Sequence, residues 1–105
     1  MASVPTKQMT ALYEKATNNR DKTIKSGHYE LCIGTDAISL YHYGTTIFYW
    51  EKEDNSVDLG GARSASDRDA INGLLTLMGF PRCAYRCRGK MYFDHTWFNE
   101  YLEGN

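Results

Sequence analysis

The chain has 105 residues, 42% of them apolar and 13% aromatic, with two prolines and a formal net charge of −1. That length suits one domain, residues 1–105, with a modest core, and the composition excludes a disordered tail. The near-zero charge gives no electrostatic case for coating nucleic acid with the whole molecule, and no window approaches the roughly 18 consecutive apolar residues of a membrane span.

The first element is predicted over residues 5–18. Pro5 suits the first helical position, and Met9, Leu12, Tyr13 and Ala16 recur at three- and four-residue spacing. The residues in front of it lack a basic region followed by an apolar run, so no secretory signal is read there. Three cysteines, an odd number, fit a reducing compartment better than a disulfide framework. The polar stretch NNRDKTIKSG then leads out of the helix.

From His28 to Leu59 the period changes to two. HYELCI sets Tyr29, Leu31 and Ile33 against His28, Glu30 and Cys32; GTD reads as a turn; AISLYHY sets Ile38, Leu40 and His42 against Ser39, Tyr41 and Tyr43. After Gly44, TTIFYWEK is rich in β-branched and aromatic residues, EDNS makes a turn, and SVDL is a short fourth strand. Tight connections between successive strands imply an antiparallel meander with one face covered and one wet.

Residues 59–81, LGGARSASDRDAINGLLTLMGFP, raise a choice between a phosphate cradle and a helix start. A Walker-type loop needs a Gly-Lys pair followed by Ser or Thr, and that lysine is missing. Ser64 or Ser66 can cap the helix, each followed three residues later by an acid, Asp67 or Asp69, which also complements the dipole and repels a phosphate. Ile71, Leu74, Leu75 and Met78 gather on one face, Gly79 suits a left-handed C-terminal residue, and Pro81 prevents continuation.

Residues 83–93, CAYRCRGKMYF, read as a hairpin turning at Arg88 and Gly89. DHTWFNEYLEG follows with an Asp94 cap and Trp97, Phe98, Tyr101 and Leu102 at helical spacing. The order α-ββββ-α-ββ-α is that of an α+β domain, a four-stranded antiparallel meander plus a C-terminal hairpin, with helices packed on one face.

Catalytic and metal motifs are absent from the sequence. Cys83 and Cys87 lack the Cys-x-x-Cys spacing of zinc pairs and read as buried thiols, and no Gly-x-Ser-x-Gly context marks a nucleophile. His42 reads as a satisfied half-buried histidine. The expected protein is non-enzymatic, with no cofactor and no metal.

Two surfaces stand out instead. Eight tyrosines against four phenylalanines hint at an interface, because tyrosine joins an apolar ring to a polar tip. Tyr41, Tyr43, Tyr49 and Trp50 are the candidate aromatic contacts, and Glu51, Glu53, Asp54 and Asp58 are acids suited to imitate a nucleic-acid backbone in a basic cleft. Arg82, Arg86, Arg88 and Lys90 form a basic segment without an acid. The sheet aromatics together with that segment make single-stranded nucleic acid the alternative partner, and a structural homodimer is the third reading.

The phrases Tyr43-Gly44-Thr45, Ser64-x-Ser66 and Ile71-Asn72-x-Leu74-Leu75, over about residues 29–79, resemble an uncharacterised family of small bacteriophage and prophage proteins. That resemblance implies a setting: a cytoplasmic protein of the bacterial host that binds and inhibits a host or defence-system protein, as anti-CRISPR inhibitors do. It transfers no active site.

Overall fold

The computed structural model describes residues 5–104. The elements run α1 (Lys7–Asn18), β1 (Thr23–Ser26), β2 (Tyr29–Ile33), β3 (Ala37–His42), β4 (Thr45–Glu51), β5 (Ser56–Asp58), α2 (Ala65–Leu77), β6 (Ala84–Cys87), β7 (Lys90–Phe93) and α3 (His95–Gly104). The fold is α+β, with an antiparallel five-stranded sheet in the order β1-β2-β3-β4-β5 and a separate hairpin, β6-β7.

The sheet therefore holds one strand more than the meander read from sequence. TIKS offers only Ile24 as an inward apolar residue, so its periodicity is too short to register as a strand. Its pairing is made by the turn that follows: Gly27 takes φ +59°, and Ile24 lands opposite Leu31. At the far end, Asp21 accepts hydrogen bonds from the Thr35 backbone N–H (2.9 Å) and hydroxyl (3.1 Å), tying the exit of α1 to the β2–β3 turn.

Helix α1 begins two residues later than Pro5 would place it. Thr6 is the N-cap, its hydroxyl accepting from the Met9 N–H at 3.0 Å, so Pro5 lies outside the helix, where no hydroxyl cap would otherwise stand. The expected apolar stripe is present: Met9, Leu12 and Ala16 are buried.

In α2 the helix start resolves in favour of Ser64. Its hydroxyl accepts from the Asp67 N–H (3.0 Å) while the Asp67 carboxylate accepts from the Ser64 N–H (3.1 Å), a complete capping box. At the other end Gly79 has φ +87°, its N–H bonds the Thr76 carbonyl and the Phe80 N–H bonds Leu75, which closes a Schellman motif. Ahead of the helix, Gly60 takes φ +53°, and a Cβ there would stand 2.4 Å from the Thr46 carbonyl oxygen. The glycine pair thus lets the loop pass close against β4, where the Gly61 N–H donates to that same oxygen at 2.8 Å.

One face of the sheet is covered. Leu31, Ile33, Ile38, Leu40, Phe48 and Trp50 point to it and are buried against Met9, Leu12 and Ala16 of α1 and Ile71, Leu74 and Leu75 of α2. Between Leu40 and Tyr41 the register slips, leaving Ile47 as the extra residue of a β-bulge, so that Ile47 and Phe48 are both buried although adjacent. The hairpin and α3 join this core through rings. Phe98, fully buried, meets Trp50 (5.3 Å), Phe80 (4.7 Å) and Phe93 (5.4 Å) between centroids.

Asn72 provides a further link. Buried in α2, its side-chain amide donates to the Ala84 carbonyl (2.8 Å) and its side-chain oxygen accepts from the Ala84 N–H (3.0 Å), so one side chain pairs with β6 as a strand would. Neither thiol of the hairpin is bonded. Cys83 is buried as expected, but Cys87 is exposed, because the hairpin end projects past the core.

Candidate functional site

Strand alternation decides which candidate residues meet. Successive side chains of a strand point to opposite faces, so Tyr49 and Trp50 cannot share one. Trp50 lies in the core, 9% exposed, with its ring edge-on to Phe80 and Phe98. Trp50 as a surface contact is therefore corrected: it is a core residue.

The opposite sheet face carries no helix. Its central rows run Lys25, Glu30, Tyr41 and Thr46 across β1 to β4, then Thr23, Cys32, Ser39, Tyr49 and Asp58 across all five strands. The next row adds Glu51 between Ala37 and Ser56. Tyr41 and Tyr49 are half-buried there, each leaving part of its ring to solvent, and Glu51 and Asp58 stand beside them.

Glu53 and Asp54 occupy the exposed β4–β5 turn at the same end of the sheet as Glu51. The Ser56 hydroxyl and backbone N–H hydrogen-bond Asp54 and hold its carboxyl below the usual aspartate range, so it stays charged. The carboxylate of Asp58 accepts from the Gly60 N–H at 2.7 Å, which fixes it at the rim of the face. Tyr41, Tyr49, Glu51, Glu53, Asp54 and Asp58 are thus brought to one continuous surface.

Tyr43 stands apart. It occupies the β3–β4 turn, at the opposite end of β4 from the acidic turn, with φ +52° followed by Gly44 at +75°, the pair of positive angles that a two-residue hairpin requires. Its ring, 68% exposed, stacks on His28 at 4.1 Å.

The basic segment lies on the hairpin, whose Met91, Tyr92 and Phe93 line one open groove with Ser56, Val57 and Asp58 of β5. Ala84 and Phe93 form a buried pair on the hairpin's inner face, and the outer face carries Tyr85 opposite Tyr92 and Cys87 opposite Lys90. Arg88 sits in the turn at φ +53°, and Arg86 lies on the inner side, where its Nε donates to the Arg63 carbonyl at 3.0 Å. Arg82 precedes β6 and is exposed. The sheet tyrosines and this segment belong to two different sheets, the five-stranded one and the hairpin.

Sequence reasoning passes over Tyr85 and Tyr92, which are 49% and 42% exposed with centroids 5.6 Å apart and planes at 20°. A usable signal exists: a two-residue turn at Arg88-Gly89 forces residues 85 and 92 into register.

The most ordered polar cluster is between β3 and α2. His42 Nδ1 lies 2.7 Å from Asp67, and the imidazole stacks face to face on Tyr29 at 4.2 Å and 5°. Asp67 also accepts from the Arg63 and Ser64 backbone N–H groups (3.0 and 3.1 Å). Burial pushes its carboxyl up, but these amides with His42 and the Ser64 hydroxyl outweigh burial and hold it below the usual range. Ser64 Oγ serves the cap and lies 2.9 Å from Ser66 Oγ. An open groove of about 490 Å³ beside this cluster is lined by Tyr43, Thr45, Arg63 and Ser66 among others. The contact between His42 Nδ1 and Asp67 joins the helix to the sheet, and the other bonds of the cluster close the helix cap.

Among the described residues no group of three or more His, Cys, Asp or Glu side chains is placed to hold a metal ion, and no helix is long and apolar enough to cross a membrane. No protein-family model matches the chain, and no curated protein or solved structure is significantly similar to it.

Proposed function

We propose that this is a non-enzymatic binding protein whose uncovered sheet face docks on a basic surface of a host or defence-system protein and blocks it. One observation carries the reading: Tyr41, Tyr49, Glu51 and Asp58 share a sheet face that no helix covers, with Glu53 and Asp54 at its end. Tyrosines on a strand supply contact area at low entropic cost, and fixed carboxylates supply the spaced negative charge that a nucleic-acid-binding cleft accepts. The resemblance of its short phrases to those of small phage proteins motivates the setting, a bacterial host whose restriction or CRISPR machinery offers such clefts.

The test is affinity capture from a bacterial lysate with the chain, with the Tyr41→Ala/Tyr49→Ala pair and with the Glu53→Lys/Asp54→Lys pair. The reading expects a specific protein retained by the parent and lost from both double variants. Capture unchanged by the lysine substitutions removes the acidic-mimic mechanism, and capture unchanged by the alanine substitutions removes the sheet face as the docking surface.

A further inference from the structure

The β6–β7 hairpin carries a surface that packing does not explain. Four cross-strand pairs build it, and they alternate sharply in environment: Ala84 and Phe93 are buried at 3% and 8%, whereas Tyr85 and Tyr92, the next pair, point away from the core and are about half exposed. Their rings lie nearly parallel at 20° with centroids 5.6 Å apart, an offset stacked pair of half-exposed rings. Directly beyond it on the same face come Lys90 and then the exposed Arg88 of the turn, with Arg86 on the hairpin's other side. From Arg82 to Phe93 every ionised side chain is a cation, although the chain as a whole is slightly acidic.

We infer that this outer hairpin face is a binding site for single-stranded nucleic acid, with bases on the Tyr85–Tyr92 pair and the phosphate backbone along Lys90 and Arg88. The chemistry selects that partner in two steps. Exposed ring faces accept any base, because every base has a π-face, but only where the bases are unstacked from a complementary strand. A polyanion then satisfies the adjacent cations, which have no acid within the hairpin to pair with. The site is on the hairpin and not on the five-stranded sheet, and Tyr92 lines a groove with Asp58 at the sheet's β5 edge.

The experiment follows fluorescence anisotropy of a labelled oligothymidylate, an oligouridylate of equal length and a blunt DNA duplex at low and moderate salt. Binding of both single strands over the duplex is expected, with affinity falling as about the 1.4 power of salt concentration, since two cations at roughly 0.7 each set the slope. Tyr85→Ala and Tyr92→Ala should each weaken binding about tenfold. Tyr85→Phe should retain it. Because alanine can loosen a two-stranded ribbon, Tyr85→Thr/Tyr92→Thr keeps strand preference while removing the rings, and circular dichroism checks its fold. Arg88→Gln/Lys90→Gln should flatten the salt dependence.

No binding at low salt, duplex preferred to single strand, or unaltered binding by the folded threonine variant each overturns the inference. So does an equal loss on Tyr41→Ala/Tyr49→Ala, which would move the platform to the sheet. Retention of a protein through Tyr85 and Tyr92 after nuclease treatment, with no oligonucleotide bound, overturns it in favour of a protein partner. The outcome is distinguishable from the lysate capture above, whose substitutions lie in β3, β4 and the β4–β5 turn.

Discussion

His42 of β3 and Asp67 in the first turn of α2 meet at 2.7 Å, and through that contact the helix cap is fastened to the sheet. The aspartate is 7% exposed, yet remains ionised because three backbone and side-chain donors besides His42 converge on it. The folded carboxyl titrates below its unfolded value of about 3.9, so its stabilisation is complete above that pH and is lost as pH falls through the folded value.

Asp67→Ala should therefore cost roughly 2–4 kcal/mol at neutral pH, by losing the capping box and stranding buried N–H groups. The gap between parent and variant should narrow on acidification to about pH 3. Urea midpoints at both pH values measure it. A gap that stays constant would show that the charge of Asp67 contributes nothing.

Asn72 makes both hydrogen bonds available on Ala84, and neither atom has another partner nearby in β6. Asn72→Leu should cost roughly 2–3 kcal/mol, because a buried N–H and C=O then lose their partners while the apolar volume is kept. Hydrogen exchange at the Ala84 amide should accelerate most. Protection unchanged there would refute the clamp.

The glycines of the region predict opposite signs. Gly60→Ala forces a Cβ to 2.4 Å from the Thr46 carbonyl oxygen at a positive φ and should destabilise by about 2 kcal/mol or more. Gly73, inside α2, would place its Cβ at an ordinary 3.6 Å from Pro5, so Gly73→Ala should stabilise by up to about 1 kcal/mol through helix propensity. Thermal unfolding of the two variants decides this, and a shift of the same sign in both would contradict the steric account.

Burial, reinforced by Asp94, pushes the Cys83 thiol up to about 11, while Cys87 is exposed on the hairpin. At pH 8 only about one Cys83 in a thousand is then thiolate. Ellman's reagent should modify Cys87 at once and reach Cys83 only on unfolding. Rapid modification of Cys83 in the native protein would show that the hairpin opens readily.

Some of the molecule follows from the sequence alone, for a local reason. The strand period of residues 29–51, the Asp94 cap and the Ser64-to-Gly79 helix with its stop are written in neighbouring residues, whose spacing sets which face is apolar and where backbone donors find partners. The same alternation already separates Tyr49 from Trp50, and the Arg88-Gly89 turn already aligns Tyr85 with Tyr92.

What the tertiary structure alone decided depends on contacts between distant residues. TIKS is a strand only because β2 is beside it; Asp67 is more than a cap only because His42 reaches it across 25 positions; Asn72 is a clamp only because Ala84 lies against α2. Composition likewise collects tyrosines and cations without saying that they fall on two different sheets, an acidic five-stranded face and a basic hairpin. Local spacing fixes faces, but which faces remain open depends on how the elements stack, and no neighbouring residue carries that information.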